Sequence, residues 1–155
     1  MAIHKISDDF YEHAYILVAV HCTLEDYRLA YFLNLNLRSK FRKLPDIVFY
    51  PSHASFSLYE WEDHKKDSIW SLISNVARSG DAEKNNNTLF SHGIAEKIGY
   101  LIPERKQTDY FLKIDGESIH EDIMSIVHGI NKIPQIITAY HVDPDQLKSK
   151  HNLIL

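Results

Sequence analysis

The chain has 155 residues, 45% of them hydrophobic and 25% charged, with a formal net charge of −4 at pH 7. That length suits one domain with a real core, and the composition is ordinary for a soluble globular protein. A net negative charge speaks against a general polyanion binder, DNA included, because non-specific nucleic-acid affinity comes mainly from Lys and Arg at phosphates. Cys22 is the sole cysteine, so no internal disulfide can form and a reducing compartment fits. The longest apolar run, Ala14 to Val20, is too short to span a bilayer. Asp8, Asp9 and Glu12 precede it, where a secretory signal would be basic. A cytoplasmic protein without a membrane partner is expected.

Ala14 to Val20 is aliphatic and β-branched without alternation, the pattern of a strand covered on both faces. A helix is expected from Thr23, with Asp26 placed three residues on as a capping-box acid. Its apolar stripe is Leu24, Tyr27, Tyr31 and Leu35, widened by Leu29, Phe32 and Leu33, which predicts burial on more than one side. Arg38 to Lys43 reads as a basic connection closed by Pro45. Residues 54–61 alternate at period two, 63–67 form a polar turn and 69–73 return, so a hairpin with Trp61 opposite Trp70 is predicted. Residues 80–93 are almost devoid of apolar side chains and read as a mobile loop.

Strands are expected at 97–102 and 109–114. Ser118 is the expected N-cap of a second helix, with Glu121 as its capping-box partner, and Ile119, Ile123, Ile126, Val127 and Ile130 share one face. Pro134 stops that pattern, and 135–142 reads as a last strand before a polar tail. The order predicts a single α+β domain over 1–155. The expected architecture is a mostly antiparallel sheet with two helices on one face, on a ferredoxin-like βαββαβ plan with an inserted hairpin.

The stretch Ile102-Pro103-Glu104-Arg105-Lys106-Gln107-Thr108-Asp109-Tyr110 resembles the signature of the IPExxxVDY family of small bacterial proteins. The segments 22–31 and 133–154 are similar to that family as well. Thr108 stands where the signature has Val. The resemblance implies no activity, catalytic residue or ligand. On the residues alone, Pro103 presets a turn, Glu104 to Gln107 is a solvated loop, Asp109 could cap it, and Tyr110, Leu112 and Ile114 alternate as a buried face.

Several groups have chemistry to offer. Glu104 and Asp109 could pair as carboxylates beside Tyr110, although the spacing fixes no distance between them. His21 and Cys22 end the first strand near a helix start, where a thiol can be activated, but Glu25 and Asp26 oppose a thiolate. His120-Glu121 begins like a zinc helix motif, yet Met124 occupies the fifth position. His120 and His128 lie roughly 12 Å apart along the axis, too far for one ion, so neither a metal nor another cofactor is expected. Arg38, Lys40, Arg42 and Lys43 around Phe41 could contact RNA. Tyr59, Trp61 and Trp70 fall on the hairpin face opposite Phe56 and Leu58, a candidate partner surface.

No nucleophile–base pair, metal spacing or phosphate loop stands out. The leading expectation is a non-enzymatic binding or assembly module, a homodimer or bound to a protein partner. The alternatives are an RNA- or ribosome-associated protein using 38–43, and an enzyme using His21, Glu104, Asp109 and Tyr110.

Overall fold

The computed structural model describes residues 15–50, 52–77 and 99–155. Among these residues there are six strands: β1 (Tyr15–Cys22), β2 (Arg42–Phe49), β3 (Ala54–Asp63), β4 (Ser68–Ser74), β5 (Tyr110–Asp115) and β6 (Ile136–Val142). The α-helices among the described residues are α1 (Asp26–Leu37) and α2 (Ile123–Asn131). The protein is α+β, an open antiparallel sheet in the order β2-β3-β4-β5-β1-β6 with two helices. The expected loop at 80–93 lies outside the described residues.

Alternation along the strands divides the core in two. Ile16, Val18, Val20, Leu72, Leu112 and Ile114 face a cluster that includes Leu29 and Leu33 of α1 and Ile130 of α2. Both helices therefore cover the same face. Leu17, Ala19, Ile73 and Phe111 point the other way, onto Leu101, Ile102, Leu147 and Leu153. The expected polar tail thus carries two buried leucines that close the second face, a contribution of about 1.5–3 kcal/mol each. Lys113 is buried in that layer, where its ammonium donates to the Leu153 carbonyl at 2.9 Å and lies 4.8 Å from the Tyr15 ring centroid.

The hairpin forms as its alternation predicts, and Trp61 pairs with Trp70. Ile119 and Ile130 are buried, with Ile123, Ile126 and Val127 packed beside them. Other expectations need correction. Thr23 does not start a capped helix: α1 begins at Asp26, with Glu25 at the N-cap and no side-chain cap. Its buried residues are Asp26, Leu29, Ala30 and Leu33, whereas Tyr27, Tyr31 and Leu35 are about three-fifths exposed, at 59%, 62% and 64%. Only one side of α1 meets the sheet, so the rest of its girth stays in water.

Ser118 does not cap either. A 3-10 turn over Glu117–Asp122 precedes α2, and the Ser118 hydroxyl donates to the Lys66 carbonyl instead. The strand expected at 97–102 reduces, among the described residues, to a single bridge between Tyr100 and Val76.

The two sheet edges are protected differently. β2 was not expected as a strand, because Pro45 and its charges break the pattern. Among the described residues it pairs only with β3, and its register shifts between Leu44 and Ile47, around Pro45, a device that blunts an edge. At β6 the side chain of Asn131 acts as a short false strand. Its amide donates to the Ala139 carbonyl at 2.8 Å and its oxygen accepts from the Ala139 N–H at 2.9 Å.

Candidate functional site

The signature segment is organised by a residue that periodicity does not mark. Asn75 follows β4 and is completely buried. Its side-chain amide donates to the carbonyls of Arg105 and Thr108, each at 2.8 Å, and its side-chain oxygen accepts from the Ile102 N–H at 2.8 Å. Its backbone pairs with Asp109 and Leu101. One side chain thus satisfies three main-chain groups of a turn that could not otherwise be buried. Within that turn Pro103–Arg105 makes a 3-10 turn, and Thr108 is buried while Lys106 is exposed.

The four polar side chains weighed as a catalytic set have separate partners. The Glu104 carboxylate accepts from the Ser149 N–H at 2.7 Å and its hydroxyl at 3.0 Å, fastening the C-terminal segment. Desolvation would raise the Glu104 pKa, but these bonds and others from the backbone outweigh it and hold the group below its ordinary value. Asp109 accepts from the Cys22 N–H at 3.0 Å, beside the register shift that ends β1. The Tyr110 hydroxyl donates to the Leu24 carbonyl at 2.7 Å. His21 lies on the other side of β1 from Cys22, with its Nε2 2.9 Å from the Tyr140 hydroxyl and its ring stacked on Tyr140. Cys22 is buried, and burial, reinforced by the Asp109 charge, raises its pKa, which disfavours a thiolate.

The aromatics of the hairpin pack inward. Tyr59 and Trp70 are buried, and Trp61 is half-buried against the same cluster. Phe41 closes the group, with its centroid 6.1 Å from Trp61 and 6.4 Å from Trp70. The expected open aromatic surface is therefore a packed one. Burial also withdraws Phe41 from stacking on a base. Asn34 fixes it there, accepting from the Phe41 N–H and the Ser39 hydroxyl. The cations Arg38, Lys40, Arg42 and Lys43 remain exposed, and Lys43 pairs with Asp46. Among the described residues, no three His, Cys, Asp or Glu side chains are placed to hold a metal ion.

A cavity opens where β1 turns into α1. It has a volume of about 520 Å³ and is lined by Thr23, Leu24, Glu25, Asp26, Tyr27, Ser57, Ser74 and Tyr110, a size within the range of small-molecule sites. Its floor is the helix-covered face of β3, β4 and β5, where Ser74 pairs with Tyr110. Its rim is the β1–α1 corner, held down by the Tyr110 and Asp109 bonds to Leu24 and Cys22. The Tyr27 hydroxyl donates to Glu25, and that bond together with the Glu25 charge raises the phenol pKa. Of the four residues weighed for catalysis, Tyr110 lines this cavity and His21, Glu104 and Asp109 do not. Ser57 was missed in the sequence because a serine in an alternating strand reads as its solvated face.

Comparison with protein-family models, with curated proteins and with solved structures returned no match. No helix among the described residues is long and apolar enough to cross a membrane.

Proposed function

We propose that this chain is a non-enzymatic cytoplasmic binding or assembly module, forming a homodimer through the outer face of α1. The observation that carries the reading is the row Tyr27, Tyr31 and Leu35. These side chains follow one another at helical spacing and are each more than half exposed. Exposed aromatic rows of this kind mark interfaces, and two-fold dimers are the commonest closed oligomers. Tyr59, Trp61 and Trp70 are less suited to this role because they are already packed within the chain. Asn131 covers the middle of the β6 edge, so a helix-to-helix contact is favoured over sheet extension.

Catalysis ranks lower because Glu104, Asp109 and Tyr110 each bond to a different part of the fold. RNA binding ranks lower because the basic segment lacks a free aromatic. Membership of the IPExxxVDY family remains our reading of the motif. Its support is that the motif's apolar positions, Ile102, Thr108 and Tyr110, are buried while Pro103 and Glu104 are exposed. We likewise read the sheet as a ferredoxin-like plan, supported by the order β4-β5-β1-β6 beside the added hairpin β2-β3.

Sedimentation velocity at micromolar concentration tests the dimer. The expected result is a two-chain species that Tyr31→Glu converts to monomer without loss of helix content. A wild-type monomer, or a dimer indifferent to Tyr31→Glu, overturns it.

A further inference from the structure

The charges around the outer row of α1 suit a partner that carries the same row. Glu25 is exposed at the N-cap, and Arg38 and Lys40 are exposed just past the other end of the helix. One end of the face is therefore acidic and the other basic, with the apolar row Tyr27, Tyr31 and Leu35 between them. Such a face meets a second copy of itself with opposite charges in register only when the two-fold axis crosses it at right angles.

Arg38 supplies a separate indication. It ends α1 in the left-handed region, at φ 55° and ψ 34°, the conformation that glycine adopts there without a steric cost. An arginine at this position keeps a guanidinium beyond the helix end in spite of that cost. Backbone outliers of this kind mark places where a side chain serves something other than the local chain.

We infer that two copies of α1 pack antiparallel about a two-fold axis at Tyr31, with Glu25 of each copy paired to Arg38 of the other. This deepens the dimer reading and rests on it, by fixing the orientation of the partner. Tyr27 and Leu35 stand four residues either side of Tyr31, so each Tyr27 packs on Leu35 of the partner subunit and the Tyr31 rings meet at the axis. Glu25 lies roughly 9 Å before the axis along the helix and Arg38 roughly 10 Å beyond it, at about 1.5 Å per residue. A crossing of about 20° keeps these ends within side-chain reach. The guanidinium then donates to a carboxylate that already accepts from the Tyr27 hydroxyl. A parallel arrangement would instead set Glu25 on Glu25, Arg38 on Arg38 and the helix dipoles side by side.

The test is sedimentation of the full chain carrying charge reversals. Glu25→Arg and Arg38→Glu should each raise the dimer dissociation constant by about tenfold, since two interchain pairs turn repulsive. The double variant Glu25→Arg/Arg38→Glu should return to within about threefold of wild type. Arg38→Gly should weaken the dimer about fivefold even though it relieves the backbone. Circular dichroism and thermal midpoints of each variant, taken below the dissociation constant, check that the monomer remains folded. Those charges also suit their own helix ends, and reversing both should lower the monomer's midpoint more than reversing either one. Recovery of the dimer in the double variant is therefore an interchain effect. Losses that add up in the double variant, or a dimer indifferent to both reversals and to salt, overturn the antiparallel pairing and leave the α1 dimer standing if Tyr31→Glu still dissociates it. A wild-type monomer overturns both.

Discussion

Two neighbouring regions place their polar side chains differently. In the signature turn, 102–110, the side chains of Asn75, Glu104, Asp109 and Tyr110 all bond within the fold, mostly to main-chain groups far away in sequence. In the adjoining corner, 22–27, and the strand floor beneath it, Thr23, Glu25, Asp26 and Ser57 line a cavity. The first region builds the second, since Asp109 and Tyr110 hold Cys22 and Leu24 in place. A motif that stands out in a sequence can therefore be the scaffold of a site and not the site itself. Changes in the turn should cost stability, and changes of the polar side chains lining the cavity should cost little.

The largest expected effect is at Tyr110, where Ala removes a buried ring and the bond to Leu24. Chemical denaturation should register a loss of about 3–5 kcal/mol, and a near-zero loss would give that residue a role beyond support. Asn75→Ala comes next, at about 3–4 kcal/mol, because three buried main-chain groups lose their partner. Tyr110→Phe keeps the ring and loses the bond alone, so about 1 kcal/mol is expected. It should also loosen the corner, read as faster amide exchange at Thr23.

Glu104→Gln should act mainly through pH. The folded pKa of Glu104 is lowered, so its stabilising contribution is complete above the ordinary glutamate value and is lost as pH falls through the lowered one. Thermal midpoints should fall less steeply on acidification in Glu104→Gln than in wild type, and parallel profiles would remove the clasp from the account. Smallest is Ser57→Ala, with stability within about 0.5 kcal/mol of wild type. A large destabilisation there would break the contrast between the regions.

The elements that could be read from the sequence were those whose signal is local. The unbroken apolar run at β1 and the alternation around Trp61 and Trp70 specify strands and even their register. The face of α1 could not be read this way, because Tyr27, Tyr31 and Leu35 are as apolar as Leu29 and Leu33. Only the position of the sheet decides which row is covered. β2 escaped notice for a related reason: an edge strand carries the proline and charges that otherwise signal a loop. Asn75 is the sharpest case. Its side-chain partners lie 27 to 33 residues further along the chain, and no periodicity connects a lone asparagine to distant carbonyls. Ser57 was hidden by the alternation that revealed its strand.

Native-state hydrogen exchange compares the two regions in one measurement. The amides of Ile102, which donates to Asn75, and of Asp109, which donates to the Val20 carbonyl, are predicted to exchange only with global unfolding. Those of Thr23 and Glu25 are predicted to exchange through local opening at much lower free energy. Rapid exchange at Ile102 and Asp109, equal to that in the corner, would contradict the view that the signature turn is the scaffold of this fold.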